Sequence, residues 1–76
     1  MTDKYLDPWK FNNWPDCVDS GKKIDATLDG GKVILNGTLI TEDFGFDGED
    51  EYPIFVIEDK QGNRVSFTCV AKYRFV

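Results

Sequence analysis

The chain has 76 residues, 41% of them hydrophobic and 14% aromatic, with a net charge of -5 and no histidine. That length makes one domain, residues 1–76, in which folding buries only about 60% of the surface exposed by the unfolded chain. The apolar content excludes a disordered tail, and the overall acidity argues against direct nucleic-acid binding, because phosphates are contacted by lysine and arginine.

Charge is unevenly spread. Residues 1–32 carry a net charge of -1, residues 33–59 carry -8 with no base among them, and residues 60–76 carry +4. No apolar run approaches the roughly 18 residues of a membrane span, and MTDKYLDPWKF lacks the basic start and apolar core of a signal peptide. A cytoplasmic location without membrane contact is therefore expected, the host cytoplasm if the protein is phage-encoded. Cys17 and Cys69 are too few and too far apart in sequence for a disulfide scaffold, and both are expected to be reduced.

Residues 1–20 form an aromatic N-terminal segment with Tyr5, Trp9, Phe11 and Trp14. Asp7 is suited to cap, and Pro8 to open, one short helical turn, while Pro15 makes continuation past Trp14 unfavourable. The four aromatics either lid a barrel end or form an exposed anchor patch, and both can hold for different rings. In KKIDATL, Ile24, Ala26 and Leu28 alternate with Asp25 and Thr27, which predicts a strand. Asp29-Gly30-Gly31-Lys32 then reverses the chain into KVILNGTLITE, where Gly37 marks a bulge or sharp bend.

The connection TEDFGFDGEDEYP follows, and the apolar run of YPIFVIED predicts a further strand. Lys60-Gln61-Gly62-Asn63 turns it into RVSFTCVAKYRFV, whose alternation predicts one long strand with Cys69 on the apolar face. The expected fold is mainly β: a small four- to five-stranded antiparallel bent sheet or SH3/Sm-like barrel over residues 21–76, with a short N-terminal helical turn.

Chemistry is sparsely signalled. Without histidine the Ser-His and Cys-His nucleophile pairs are absent, no phosphate loop occurs, and a chain this small has little volume for a catalytic cleft. No enzymatic activity and no cofactor or metal are expected. Aligning Asp43 with the start of a calcium loop places Asp47 and Gly48 at the fifth and sixth positions but leaves Gly45 and Ile54 where ligands belong.

The acidic stretch supports two readings. It is a solvated connection, or it is a surface that docks on a basic groove. In the second reading Glu42, Asp43, Asp47, Glu49, Asp50 and Glu51 act as phosphate surrogates, and Phe44, Phe46 and Tyr52 supply the desolvated contacts. Trp9 and Trp14 are further candidate contact residues, since tryptophan dominates many interfaces.

Tyr5 and Cys17, Leu28-Asp29-Gly30-Gly31 and Glu51-Tyr52-Pro53-Ile54 together resemble the layout of the Rho-specific inhibitor family (Rof) among small acidic Sm-like barrels. VIEDKQGN is similar to a hairpin of phage proteins that imitate DNA charge, such as uracil-DNA glycosylase inhibitors. The resemblance implies a non-enzymatic inhibitor or regulator that blocks the nucleic-acid-binding surface of a bacterial protein. The alternative is an accessory subunit that adds its aromatic N-terminus or an edge strand to a larger assembly.

Overall fold

The computed structural model describes residues 5–10 and 13–76. Five strands, β1 (Lys23–Leu28), β2 (Val33–Asp47), β3 (Asp50–Glu58), β4 (Arg64–Ser66) and β5 (Val70–Phe75), form one antiparallel sheet in the order β4-β3-β2-β1-β5. The sheet is bent but not closed into a barrel: β4 and β5 lie at opposite edges, joined by the 3₁₀ turn Phe67–Cys69. Among the described residues, no helix is long and apolar enough to cross a membrane.

The bend follows from the length of β2. Fifteen residues in straight extension would reach roughly 45–50 Å, yet the longest dimension of the molecule is 35 Å. Two bulges take up the difference. In the first, Leu35 and Asn36 together oppose Asp25, and Asn36 has a φ of 57°. The Asn36 N–H donates to Asp25 Oδ1 at 2.7 Å, and Arg74 Nε, on the neighbouring strand, donates to Asp25 Oδ2 at 3.1 Å. Asp25 is thereby buried with both carboxylate oxygens satisfied, which is what makes its burial tolerable. The second bulge inserts Glu42 between Thr41 and Asp43.

Gly37 sits beside the first bulge, where the backbone passes close to β3. A Cβ there would lie 2.9 Å from Ile57 Cγ2 and 3.1 Å from the Glu58 carbonyl oxygen. Gly37→Ala is therefore expected to lower stability by about 1–3 kcal/mol through overpacking, read as a lower urea midpoint with an unchanged slope.

The core is a single cluster in which Ile24, Ala26, Leu28, Ile34, Leu39, Phe55, Ile57, Phe67, Val70 and Tyr73 meet. Phe67 stands at its centre, with ring centroids 5.0, 5.3 and 6.2 Å from those of Trp14, Tyr73 and Phe55. The N-terminal segment closes one side of the cluster. Leu6 exchanges backbone hydrogen bonds with Tyr73 at 2.7 and 2.9 Å, and the Tyr73 hydroxyl donates to the Asn13 carbonyl.

Burial, with a smaller contribution from the charge of Asp19, holds the Tyr73 hydroxyl above its ordinary pKa of 10.0. The raised value favours the neutral form in the folded chain. Stability is thus fully present below the unfolded-chain pKa and is lost as pH rises through the higher folded value. The urea midpoint is expected to fall above about pH 10, and Tyr73→Phe to flatten that decline.

Three sequence expectations are corrected. RVSFTCVAKYRFV is two strands rather than one, because the Ser66 hydroxyl accepts from the Thr68 N–H at 3.3 Å and caps the 3₁₀ turn Phe67–Cys69. The turn changes the phase of the alternation, so Val70 is buried and Cys69, expected on the apolar face, is exposed.

The helical turn forms later than expected, at Cys17–Asp19, where Asp16 and Asp19 make a reciprocal capping box. Asp7 does cap, but only a turn in which the Trp9 N–H donates to Asp7 Oδ1 at 2.9 Å and the Lys10 N–H to the Asp7 carbonyl at 3.2 Å. The acidic stretch is no loop: it forms the distal halves of β2 and β3.

Candidate functional site

The acidic stretch folds as a two-stranded arm because its sequence alternates around a turn. Asp43 pairs with Ile54, Phe44 with Pro53, Gly45 with Tyr52, Phe46 with Glu51 and Asp47 with Asp50, leaving Gly48-Glu49 as a two-residue turn. Gly48 has a φ of 65°, the requirement at the first position of a II′ hairpin turn. Gly45 has no side chain because the Tyr52 ring lies across it, and a Cβ would collide with that ring. An aromatic laid over a cross-strand glycine restores the contact area the glycine lacks.

Directly opposed residues share a face of the ribbon. Tyr52 and Ile54 therefore lie on one face with Asp43, Gly45, Asp47 and Asp50, while Phe44 and Phe46 lie on the other with Glu51 and Pro53. Glu42 stands at the bulge and Glu49 at the turn. All six carboxylate residues are exposed, as are Phe44, Phe46 and Tyr52, with Phe46 retaining 69% of its accessible surface. The arm carries these acids and aromatics on one ribbon and divides the aromatics between its two faces.

Like charges directly opposite each other destabilise a strand pair, and Asp47 faces Asp50 across the hairpin end. The described ion pairs, Lys22 with Asp19, Arg64 with Glu58 and Arg74 with Asp25, all lie elsewhere. Among the described residues, no three carboxylate or thiol side chains converge as a cation site requires. The stretch aligned with a calcium loop is a β-ladder, whose alternating side chains point to opposite faces instead of wrapping one centre.

Beside the arm is an apolar groove of about 450 Å³, lined by Trp9, Trp14 and Pro15, by the consecutive residues Tyr52 to Phe55 of β3, and by Ser66 to Thr68. It exists because β4 pairs with β3 only from Val56 to Glu58 and then turns away at Phe67, so that among the described residues the outer edge of Asp50 to Phe55 has no neighbouring strand. Phe67 forms its floor. Trp9 is fixed by an Nε1–H bond of 3.0 Å to the Val70 carbonyl, and Trp14 meets it edge to face at 4.8 Å.

Trp14 thus packs on Phe67 of the core and Trp9 on Trp14, while both remain exposed on the other side, and Tyr5 instead lies under Arg74, its ring centroid 4.8 Å from the guanidinium carbon. Phe11 lies outside the described residues. The sequence missed Pro15, Pro53, Ile54 and Phe67 as groove residues. The available signal was Pro53, since proline within an apolar strand marks an edge.

In comparisons with family models, curated proteins and solved structures, nothing matches the chain.

Proposed function

We propose that the protein is a non-enzymatic inhibitor or regulator whose acidic arm occupies a basic, nucleic-acid-binding surface of a bacterial protein, as a phage-encoded mimic of polyanion charge would. The observation that carries this reading is the Asp47–Asp50 pair. A hairpin end that needed only to be soluble gains nothing from opposing two carboxylates, whereas a surface that meets a basic groove gains steering and complementarity from them. The exposed Phe44, Phe46 and Tyr52 supply the apolar contact that charge alone does not. The resemblance of Leu28-Asp29-Gly30-Gly31 and Glu51-Tyr52-Pro53-Ile54 to the Rho-specific inhibitor family points the same way.

The test is a pull-down from bacterial lysate with the wild type and with Glu49, Asp50 and Glu51 together changed to lysine, washed at low and high salt. A nucleic-acid-handling protein held by the wild type alone and released by salt is the expected result. A partner held equally by both would sink the reading. It would favour the second one, an accessory subunit that docks through Trp9, Trp14 and the open edge of β3, which the apolar groove supports.

A further inference from the structure

We infer that the groove beside β3 receives an extended segment of the basic partner, seating one large apolar side chain between Trp14, Ile54 and Phe67 while lysine or arginine residues of the same segment reach Asp43, Asp50 and Glu51. The inference rests on the proposed role of the acidic arm and adds to it a second, apolar point of recognition and the kind of partner chain that fills it.

Three features converge on that occupant. Among the described residues, the outer edge of β3 from Asp50 to Phe55 has no strand beside it, and an unpaired edge is a template for an extended chain. The groove along that edge is walled mostly by aromatic and aliphatic side chains, and none of the described residues that line it is charged. Its arm end is acidic: Asp50 and Glu51 immediately precede Tyr52, and Asp43 lies directly across the strand pair from Ile54, about 5 Å between Cα atoms by the geometry of such pairs.

An apolar anchor inserted here is therefore flanked by carboxylates. That arrangement selects a segment in which basic residues bracket the anchor and disfavours an acidic one. Pro53 has no N–H to donate and so interrupts any ladder added along this strand. Insertion of the side chain, more than continuous backbone pairing, must supply the affinity.

The chain contains two tryptophans, Trp9 and Trp14, and both line the groove. Intrinsic fluorescence thus reports its occupancy directly. The experiment is selection of a displayed library of random ten-residue peptides on the immobilised full chain, followed by titration of synthetic selected peptides against the wild type, Ile54→Thr and the Glu49, Asp50, Glu51 charge-reversed variant at low and high salt. Ile54 is partly exposed and threonine keeps its β-branch, so this variant trims the groove without emptying the core. Its urea midpoint verifies that the fold persists.

The expected result is enrichment of peptides with a large apolar residue bracketed by lysine or arginine. Binding should shift the tryptophan emission, weaken at least tenfold in Ile54→Thr and weaken further with salt and with charge reversal. Basic peptides that bind in a salt-dependent way but leave tryptophan emission and Ile54→Thr affinity unchanged would overturn the groove and leave the acidic arm standing. Apolar peptides that fill the groove indifferently to salt and charge reversal would overturn both the basic identity of the occupant and the reading on which it rests. A selection that returns nothing above an unrelated control protein overturns the inference.

Discussion

Changing Glu49, Asp50 and Glu51 together to lysine is expected to weaken partner binding by at least about 100-fold while leaving the fold unharmed or slightly more stable. Electrostatic steering separates association rates of about 10⁸–10⁹ M⁻¹s⁻¹ from the 10⁵–10⁶ M⁻¹s⁻¹ of neutral encounters. Reversing three charges at the turn and at the start of β3 turns that attraction into repulsion. The effect on the fold has the opposite sign, because a lysine at position 50 faces Asp47 and replaces a like-charge pair by an opposite one.

The two outcomes are separately measurable, binding by titration against the captured partner at several salt concentrations and stability by urea unfolding. Loss of both together would mean that the variant had unfolded the arm. Loss of neither would mean that the carboxylates are only solvated.

Phe67→Ala is expected to have the largest effect on stability, a loss of about 3–5 kcal/mol. A domain of this length holds about 4–11 kcal/mol in total, so the variant stands near the limit of folding at room temperature. The reason is position. Phe67 retains 1% of its accessible surface and packs against the aromatic rings of Trp14, Phe55 and Tyr73, so truncation removes contacts to several separate elements at once. Urea unfolding measures the loss. The conservative Phe67→Leu should recover a large part of it, which distinguishes a cavity effect from disruption of the 3₁₀ turn.

The β class was legible because Ile24, Ala26 and Leu28 alternate with polar residues, and because Gly30-Gly31 and Gly62-Asn63 stand where hairpins must reverse. The acidic arm was not, because aspartate, glutamate and glycine are poor strand formers. Only the period of Phe44 and Phe46 and the Gly48-Glu49 turn betrayed it. The break at Phe67 was hidden for a different reason: alternation in RVSFTCVAKYRFV continues on paper through a turn that the Ser66 hydroxyl caps and the Val70 N–H closes on the Phe67 carbonyl.

The candidate acids were readable as composition. Their relation to Trp9, Trp14 and Ile54 was not, since it depends on β4 ending early, a matter of three-dimensional pairing that no local pattern encodes.

The β1–β5 pairing bears on how the molecule assembles. Ile24 finds Phe75 and Ala26 finds Tyr73, partners 51 and 47 residues apart in sequence, so this rung demands loop closure long after the local hairpins could form. Until it closes, Val70 and Tyr73 are missing from the cluster around Phe67, and a hairpin by itself is marginal in water. A hairpin excised from this sheet would keep little structure of its own, and the arm is held on a core that is complete only once β5 has paired with β1.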